Sequence, residues 1–176
     1  MNFILVGCGR TARSYLEAIR FLPEVCLKEV VDISEEPSRS TARKAGCSSF
    51  TDFRSILRGN SVKAAVICTP PNTHPEITTF FLENGVHVLC EKPLAINSAQ
   101  ALEMLKKAKK HKRILIAASK FRCVEDIIRA KEIVNSGEIG KLIYFKNFFQ
   151  SKVNMKNRWN SSKEVSGGGV LIDYGS

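Results

Sequence analysis

The amino-acid sequence predicts an α/β protein built on an open, doubly wound parallel sheet. Short apolar runs alternate with amphipathic segments of helical periodicity, which is typical of consecutive β-α-β units. A glycine-rich turn follows the first apolar run, and the second run ends on an acidic residue, Asp32. Apolar residues make up 44% of the 176, which supports a buried core. We therefore expect ligands to bind at the carboxyl ends of the strands.

The strands and helices of this sheet follow from the apolar pattern. Strands are expected at residues 2–6, 26–32, 64–68, 86–90 and 113–118, with a brief extended pair at 49–50. Helices are expected at residues 37–45, 52–58, 75–84 and 98–111, after a first helix whose buried face carries Ala12, Tyr15, Leu16 and Ile19. Ser98 is the expected N-cap of the last helix, and Leu102 and Leu105 are its expected apolar side.

The character of the sequence changes near residue 120. An amphipathic helix is predicted over Glu125 to Ser136, closed by Gly137, and a strand with three phenylalanines over residues 141–150. A polar, irregular stretch over 151–166 precedes three consecutive glycines at 167–169. These few elements cannot bury much core by themselves. We expect residues 1–119 to form one domain and residues 120–176 to begin an incomplete α+β domain for substrate binding and oligomerisation.

The chain is strongly basic, with a net charge of +10 and a pI near 9.5. Much of the excess lies in residues 106–113, which could bind nucleic acid or could form the exposed, cationic C-terminal end of a helix. The sequence shows no nucleic-acid recognition motif and no aromatic stacking platform near this run. The helix-end interpretation is therefore favoured, and we expect no specific nucleic-acid partner.

The six cysteines form no C-x-x-C pair and no Cys/His cluster with zinc spacing. Several lie in apolar, strand-like runs, which suits buried free thiols. No apolar run reaches membrane-spanning length. We expect reduced cysteines, no metal site, no membrane partner and a cytoplasmic location.

The glycine-rich turn, residues 7–12, has the features of a dinucleotide site. Gly7 permits a tight turn, Gly9 lets the backbone approach a pyrophosphate, and Ala12 lets the following helix lie close to the sheet. Arg10 and Thr11 open that helix, whose N-terminus favours phosphate. Asp32 lies twenty positions after Ala12, where a carboxylate accepts hydrogen bonds from ribose hydroxyls. The sequence predicts a Rossmann-type fold that binds NAD.

Binding of NADP is the alternative that the sequence leaves open. The carboxylate of Asp32 would repel the additional phosphate of NADP, whereas Arg39 and Arg43 could favour it. The simpler interpretation of both arginines is that they are solvated residues on the next helix.

Two further turns follow predicted strands and should lie at the same edge of the sheet. In residues 69–74, consecutive prolines from Pro70 make a rigid ledge, and Thr69 and Asn72 can bond ribose or phosphate. His74 either contacts the ligand or stabilises the following helix. In residues 90–93, Lys92 either exchanges a proton with a substrate hydroxyl or holds it by a hydrogen bond; the alternative is a surface lysine that pairs with Glu91.

Together these motifs resemble the N-terminal part of the Gfo/Idh/MocA family of oxidoreductases, which includes glucose–fructose oxidoreductase and inositol dehydrogenase. The resemblance covers nearly the whole chain, and the Glu-Lys-Pro and Gly-Gly-Gly-x-Leu-x-Asp-x-Gly motifs are specific in this order. The matching segments are Gly7 to Ala12, Thr69 to His74, Glu91 to Ala95, Ser136 to Gly140, Arg158-Trp159 and Gly167 to Ser176.

The resemblance implies a function for the site residues. Members bind NAD or NADP and interconvert a hydroxyl and a carbonyl, usually on a sugar, sugar nucleotide or cyclitol. Lys92 would bind the reacting hydroxyl, and Asp173 would orient the substrate and an acid/base histidine. The cofactor would contact the glycine turn, Asp32, the turn from Thr69 to His74, Glu91 and Lys92. The substrate domain of the family often forms a homo-oligomer interface.

One feature departs from the family pattern. The histidine normally follows the aspartate by four residues, which would be position 177, after Ser176. We therefore expect a truncated or degenerate chain that lacks this group, whose activity alone is doubtful. The alternative function is a non-catalytic dinucleotide-binding or regulatory module.

Overall fold

The computed structural model describes residues 1–56, 62–148, 150, 152, 154, 156 and 158–174. Within these residues, six parallel strands form a single sheet of order β3-β2-β1-β4-β5-β6. The strands are β1 Asn2–Val6, β2 Cys26–Val31, β3 Ser48–Phe50, β4 Ala64–Ile67, β5 His87–Glu91 and β6 Leu115–Ala118. The predicted parallel, Rossmann-type sheet is confirmed.

Helices connect consecutive strands and continue beyond the sheet. They are α1 Arg10–Ile19, α2 Glu35–Ala45, α3 His74–Glu83, α4 Ser98–Lys110, α5 Glu125–Ser136, α6 Lys163–Ser166 and α7 Val170–Tyr174. Short 3-10 turns occur at Phe53–Ser55, Pro71–Thr73, Lys120–Cys123 and Trp159–Ser161. The helix predicted at 52–58 is only the 3-10 turn in its described part, and residues 57 and 58 lie outside the described residues.

The core consists of two apolar layers, one on each face of the sheet. Alternate residues of β1 divide between them, because side chains of a strand point to opposite faces. Phe3 and Leu5 pack with Ala12 of α1 and Ala42 of α2. Ile4 and Val6 belong to the other layer, where the buried residues of α3 and α4 are Ile77, Phe81, Leu82, Met104 and Ala108. The sheet is therefore covered on both faces, as a doubly wound fold requires.

The strand order reverses at β1, which pairs with β2 on one side and β4 on the other. Hydrogen bonds continue just past the strand ends, from Gly7 N to Val31 O (2.7 Å) and from Cys68 N to Val6 O (2.7 Å). The turns that follow these strands therefore start at one edge of the sheet. In doubly wound folds this reversal point is where ligands bind.

Helix α4 differs from the prediction in its cap and in its buried face. The N-cap is Asn97, whose side chain accepts a hydrogen bond from Gln100 N (2.9 Å), whereas Ser98 is already helical. Met104 and Ala108 are the buried residues, and Leu102 and Leu105 are 53% and 49% exposed. The predicted apolar side was therefore wrong. The lysines do lie at the C-terminal end of the helix, where cations are favoured.

The segment after residue 119 contains the predicted helix but not the predicted strand. Helix α5 ends at Gly137, which has a φ of +81°. Residues 141–148 and 150 form no strand, and Phe149 lies outside the described residues. A strand is stabilised by hydrogen bonds to a neighbour, and no described strand pairs with this segment. None of the helices in the described part of the chain is long and apolar enough to span a membrane.

Candidate functional site

The first turn of the site requires glycine at position 7. Gly7 has a φ of +92°, which L side chains rarely adopt. A Cβ there would lie 2.8 Å from the carbonyl carbon of Cys68 and 2.9 Å from Thr69 N. The turn after β1 thus packs directly against the backbone that follows β4.

The turn at Gly9 is open, in contrast to Gly7. A Cβ built on Gly9 would meet none of the described atoms within 4 Å. Gly9 is the N-cap of α1 and supplies no side-chain hydrogen bond to the first N–H groups of the helix. Arg10 and Thr11 are exposed in its first turn, whereas Ala12 is 1% exposed against the sheet. This combination leaves room for a phosphate to approach the helix N-terminus.

The carboxylate of Asp32 is held beside the glycine turn. Its Oδ2 accepts a hydrogen bond from Cys8 N (2.8 Å), and its Oδ1 accepts one from Ser34 N (2.9 Å). Burial, together with the charge of Asp32, raises the pKa of the Cys8 thiol to about 11. Cys8 is therefore a protonated thiol at neutral pH, which donates to Val31 O (3.7 Å), while its main-chain N–H holds the Asp32 carboxylate.

The two arginines considered for NADP lie on helix α2. Arg39 forms an ion pair with Glu35 (2.7 Å), and both side chains are 64% exposed. Arg43 is an exposed residue of the last turn of the same helix. Exposed pairs of this kind contribute little to stability.

The turn after β4 is rigidly built. Pro71 is buried, and the Thr73 hydroxyl donates to the Pro70 carbonyl (2.7 Å) and lies 2.7 Å from the Thr69 hydroxyl. Thr69 and Pro70 are partly exposed and Asn72 is fully on the surface. The predicted ledge is thus present at the sheet edge, next to the glycine turn that touches Thr69 N.

His74 joins this turn to the one after β5. Its Nε2 lies 2.8 Å from Thr69 O and its Nδ1 lies 3.0 Å from Pro93 O, and the residue is 0% exposed. Burial lowers the pKa of His74, and the carbonyl contacts oppose that effect only in part. A neutral ring donates a hydrogen bond to only one of these two carbonyl oxygens, and the other contact is close packing. Its geometry suits the positioning of both turns, and its side chain presents no atom to solvent.

The turn after β5 brings together the two residues assigned to catalysis by resemblance. The Lys92 ammonium donates to Asp173 Oδ1 (2.6 Å) and to the main-chain oxygen of Asp173 (2.5 Å). The two side chains are 30% and 27% exposed, although 81 residues separate them in sequence. A cation and a carboxylate are therefore held together, within reach of solvent, at the carboxyl end of β5.

The glycine triplet places Asp173 in this position. Gly167 has a φ of +77°, and a Cβ there would lie 2.7 Å from Ile96 Cα. A Cβ on Gly168 would lie 2.8 Å from Ile172 Cδ1. Helix α6, which precedes the triplet, packs against the turn Pro71–Thr73. The C-terminal segment can therefore pack this closely on Ile96 because position 167 lacks a side chain.

Tyr15 belongs to the site, although the sequence suggested only a core position. Its hydroxyl donates to Glu91 Oε1 (2.9 Å), and Glu91 Oε2 accepts from Lys92 N (3.1 Å). Burial and the charge of Glu91 raise the pKa of Tyr15, which keeps the hydroxyl protonated. The only feature of the sequence that could have indicated this contact is the hydroxyl of Tyr15, a polar group on the predicted apolar face of α1.

The cysteines do not form another site. All six are free, and burial raises the pKa of Cys90 to about 12. Across the described residues, no group of three His, Cys, Asp or Glu side chains is arranged to hold a metal ion.

Comparison with known proteins identifies the family. A family model described as an oxidoreductase family with an NAD-binding Rossmann fold, GFO_IDH_MocA, matches residues 1–119. The chain belongs to the Gfo/Idh/MocA family. This confirms the resemblance drawn from the motifs and places the glycine turn and Asp32 in an NAD-binding Rossmann fold.

Individual members of the Gfo/Idh/MocA family match over most of the chain. D-glucoside 3-dehydrogenase of Escherichia coli is 31% identical over 99% of this chain and 51% of its own length. Myo-inositol 2-dehydrogenase of Thermotoga maritima is 29% identical over 80% of this chain and 42% of its own. The WlbA dehydrogenase of Bordetella pertussis, solved with NADH and UDP-GlcNAcA, has a TM-score of 0.77 and 25% identity, covering 80% of this chain and 41% of that one. The chain thus spans about half the length of these family members, or less.

Proposed function

We propose that this chain provides the cofactor site and part of the catalytic site of an NAD-dependent oxidoreductase. The reaction is hydride transfer between the nicotinamide and a hydroxyl/carbonyl pair on a sugar, sugar nucleotide or cyclitol. The observation that carries the proposal is the contact between Lys92 Nζ and Asp173 Oδ1 at 2.6 Å. It lies on the turn after β5, at the same sheet edge as the glycine turn.

The residues at this edge fit a dinucleotide. Space is open over Gly9, where a pyrophosphate would approach, and the N-terminus of α1 carries no side-chain cap. Asp32 presents a carboxylate suited to ribose hydroxyls and unfavourable to a 2′-phosphate, so NAD is the expected cofactor and NADP the alternative. The remaining proposed contacts are Gly7, Arg10, Thr11, Ala12, Thr69, Pro70, Asn72, Glu91 and Lys92, with His74 positioning two of the turns.

The chemistry divides between the cofactor and the protein. The bound nicotinamide would accept or deliver the hydride. Oxidation of a hydroxyl also releases its proton, which a base must accept; in the family that base is the histidine that follows the aspartate by four residues. Lys92 can donate a hydrogen bond to the oxygen from its ammonium. Asp173 fixes the direction of the ammonium, because its side-chain and main-chain oxygens both accept from Nζ.

The sugar-like substrate class is proposed from the family and from the names of two of its members. D-glucoside 3-dehydrogenase and myo-inositol 2-dehydrogenase both act on polyhydroxylated rings, as their names state. A cytoplasmic location and a homo-oligomeric state of the active enzyme are further proposals, from the reduced cysteines and the family resemblance respectively.

Titration calorimetry with NADH and NADPH tests the cofactor assignment. We expect saturable binding that is tighter for NADH. Gly9→Val should weaken NADH binding at least tenfold, about 1.4 kcal/mol, because the side chain fills the open space over the turn. Ala99→Val adds the same side chain at an exposed position of α4 and should leave the affinity unchanged. Equal NADH affinities for the wild type and Gly9→Val would contradict the assignment.

A further inference from the structure

The buried face of α1 carries a hydroxyl group that the family motifs do not include. Tyr15 is partly buried and packs against the apolar layer that contains Leu5 and Ala12. Its ring therefore packs in the core, whereas its hydroxyl reaches a polar partner outside the apolar layer. It donates to Glu91 Oε1 at 2.9 Å, across 76 residues of sequence.

The Glu91 carboxylate is shared between two donors. One oxygen accepts from the Tyr15 hydroxyl, and the other accepts from the main-chain N–H of Lys92 at 3.1 Å. A continuous set of hydrogen bonds thus runs from the helix that follows the glycine turn to the main chain of Lys92. Hydrogen bonds to a charged acceptor are stronger than neutral ones, so this link restrains Glu91 effectively.

We infer that Tyr15 is a positioning residue, which fixes Glu91 and thereby the main chain from which the Lys92 side chain reaches Asp173. The inference rests on the proposed function, because it concerns the residue that would hold the reacting oxygen. The contact of Nζ with Asp173 Oδ1 is 2.6 Å long, and a displacement of the Lys92 main chain would lengthen it. Tyr15 would therefore couple α1 to the placement of the ammonium group.

Chemical labelling of amines tests this coupling without any turnover. The 176-residue protein and its variants are treated briefly with an acylating reagent, and the labelled fraction of each lysine is measured by peptide mass spectrometry. The readout is the labelling rate of Lys92 divided by that of Lys107, which pairs with Glu83 at the C-terminal ends of α4 and α3, where the chain leads into the starts of β6 and β5. A variant that merely loosens the whole fold would change both lysines and leave the ratio nearly constant.

Tyr15→Phe should raise this ratio at least about threefold, because a hydrogen bond to a charged group is lost while the ring still fills the core. Tyr144→Phe, at a tyrosine that is 75% exposed, is the matched control and should not change it. Glu91→Gln should raise the ratio as well, and adding Tyr15→Phe to it should have little further effect, because both act through one link.

An unchanged ratio in Tyr15→Phe, or effects of Tyr15→Phe and Glu91→Gln that simply add, would overturn the inference. Neither result depends on NADH or on a substrate. Failure of the proposed function would appear instead as absent NADH binding, with the labelling ratios still obeying the coupling.

Discussion

Substitution of Gly7 by alanine should destabilise the protein far more than the same substitution at Gly9. At Gly7 the added Cβ would lie 2.8 Å from the Cys68 carbonyl carbon, and the φ of +92° is unfavourable for any L residue. The backbone conformation alone costs about 1–3 kcal/mol. The contact is with backbone atoms, which cannot rotate away, so the two turns must separate and the total should reach about 3 kcal/mol or more.

At Gly9 the same change meets open space, and the φ of −76° is accessible to alanine. Its effect on the free energy of unfolding should stay within about 0.5 kcal/mol of zero. Thermal unfolding followed by circular dichroism measures both variants. For a chain of this length, about 3 kcal/mol corresponds to a fall in Tm of about 6–12 °C. Similar unfolding midpoints for Gly7→Ala and Gly9→Ala would refute the packing argument.

Three further predictions concern Asp32, helix α4 and His74. Asp32→Asn should weaken NADH binding about fivefold or more and NADPH binding less, because the charge that repels a 2′-phosphate is removed. An unchanged ratio of the NADH and NADPH affinities in calorimetry would contradict this prediction. Met104→Ala should cost about 2–5 kcal/mol in urea unfolding, and the exposed Leu102→Ala less than about 1. Because burial lowers the pKa of His74 below 6.5, the unfolded chain binds more protons. Stability should therefore be full above pH 6.5 and fall below it by up to about 1.4 kcal/mol per pH unit, a slope that His74→Gln should reduce.

The parts of the site that depend on neighbouring residues could be predicted from the sequence. The glycine turn, the helix behind it and the position of Asp32 follow from residue types at fixed spacing, and the parallel, doubly wound sheet follows from the alternation of strands and helices. The roles of Lys92 and Asp173 were suggested only through the family resemblance, and the contact between them was not predicted. Its geometry depends on the return of the chain across Ile96, which no local pattern encodes.

Helix α4 shows why the remaining features could not be predicted. Two apolar stripes run along it, and the one with leucines has more apolar surface. The structure buries the stripe with Met104 and Ala108 against α3 and the sheet, and this choice depends on packing between elements that the pattern within one helix does not determine. Asn97 and Ser98 are both good N-caps, and only the extended backbone of Asn97 decides between them. The link between Tyr15 and Glu91 likewise depends on the packing of α1 against the sheet.

The close packing of Gly167 on Ile96 has a consequence for the engineering of this family. Both charged partners, Lys92 and Asp173, are held at the edge of the parallel sheet. A chimera in which this chain is joined to another protein after α7 would carry both the glycine turn and the ion pair on the same segment. The substrate specificity of such a chimera could then be varied by changing the segment joined after α7, while the Lys92–Asp173 pair stays unchanged.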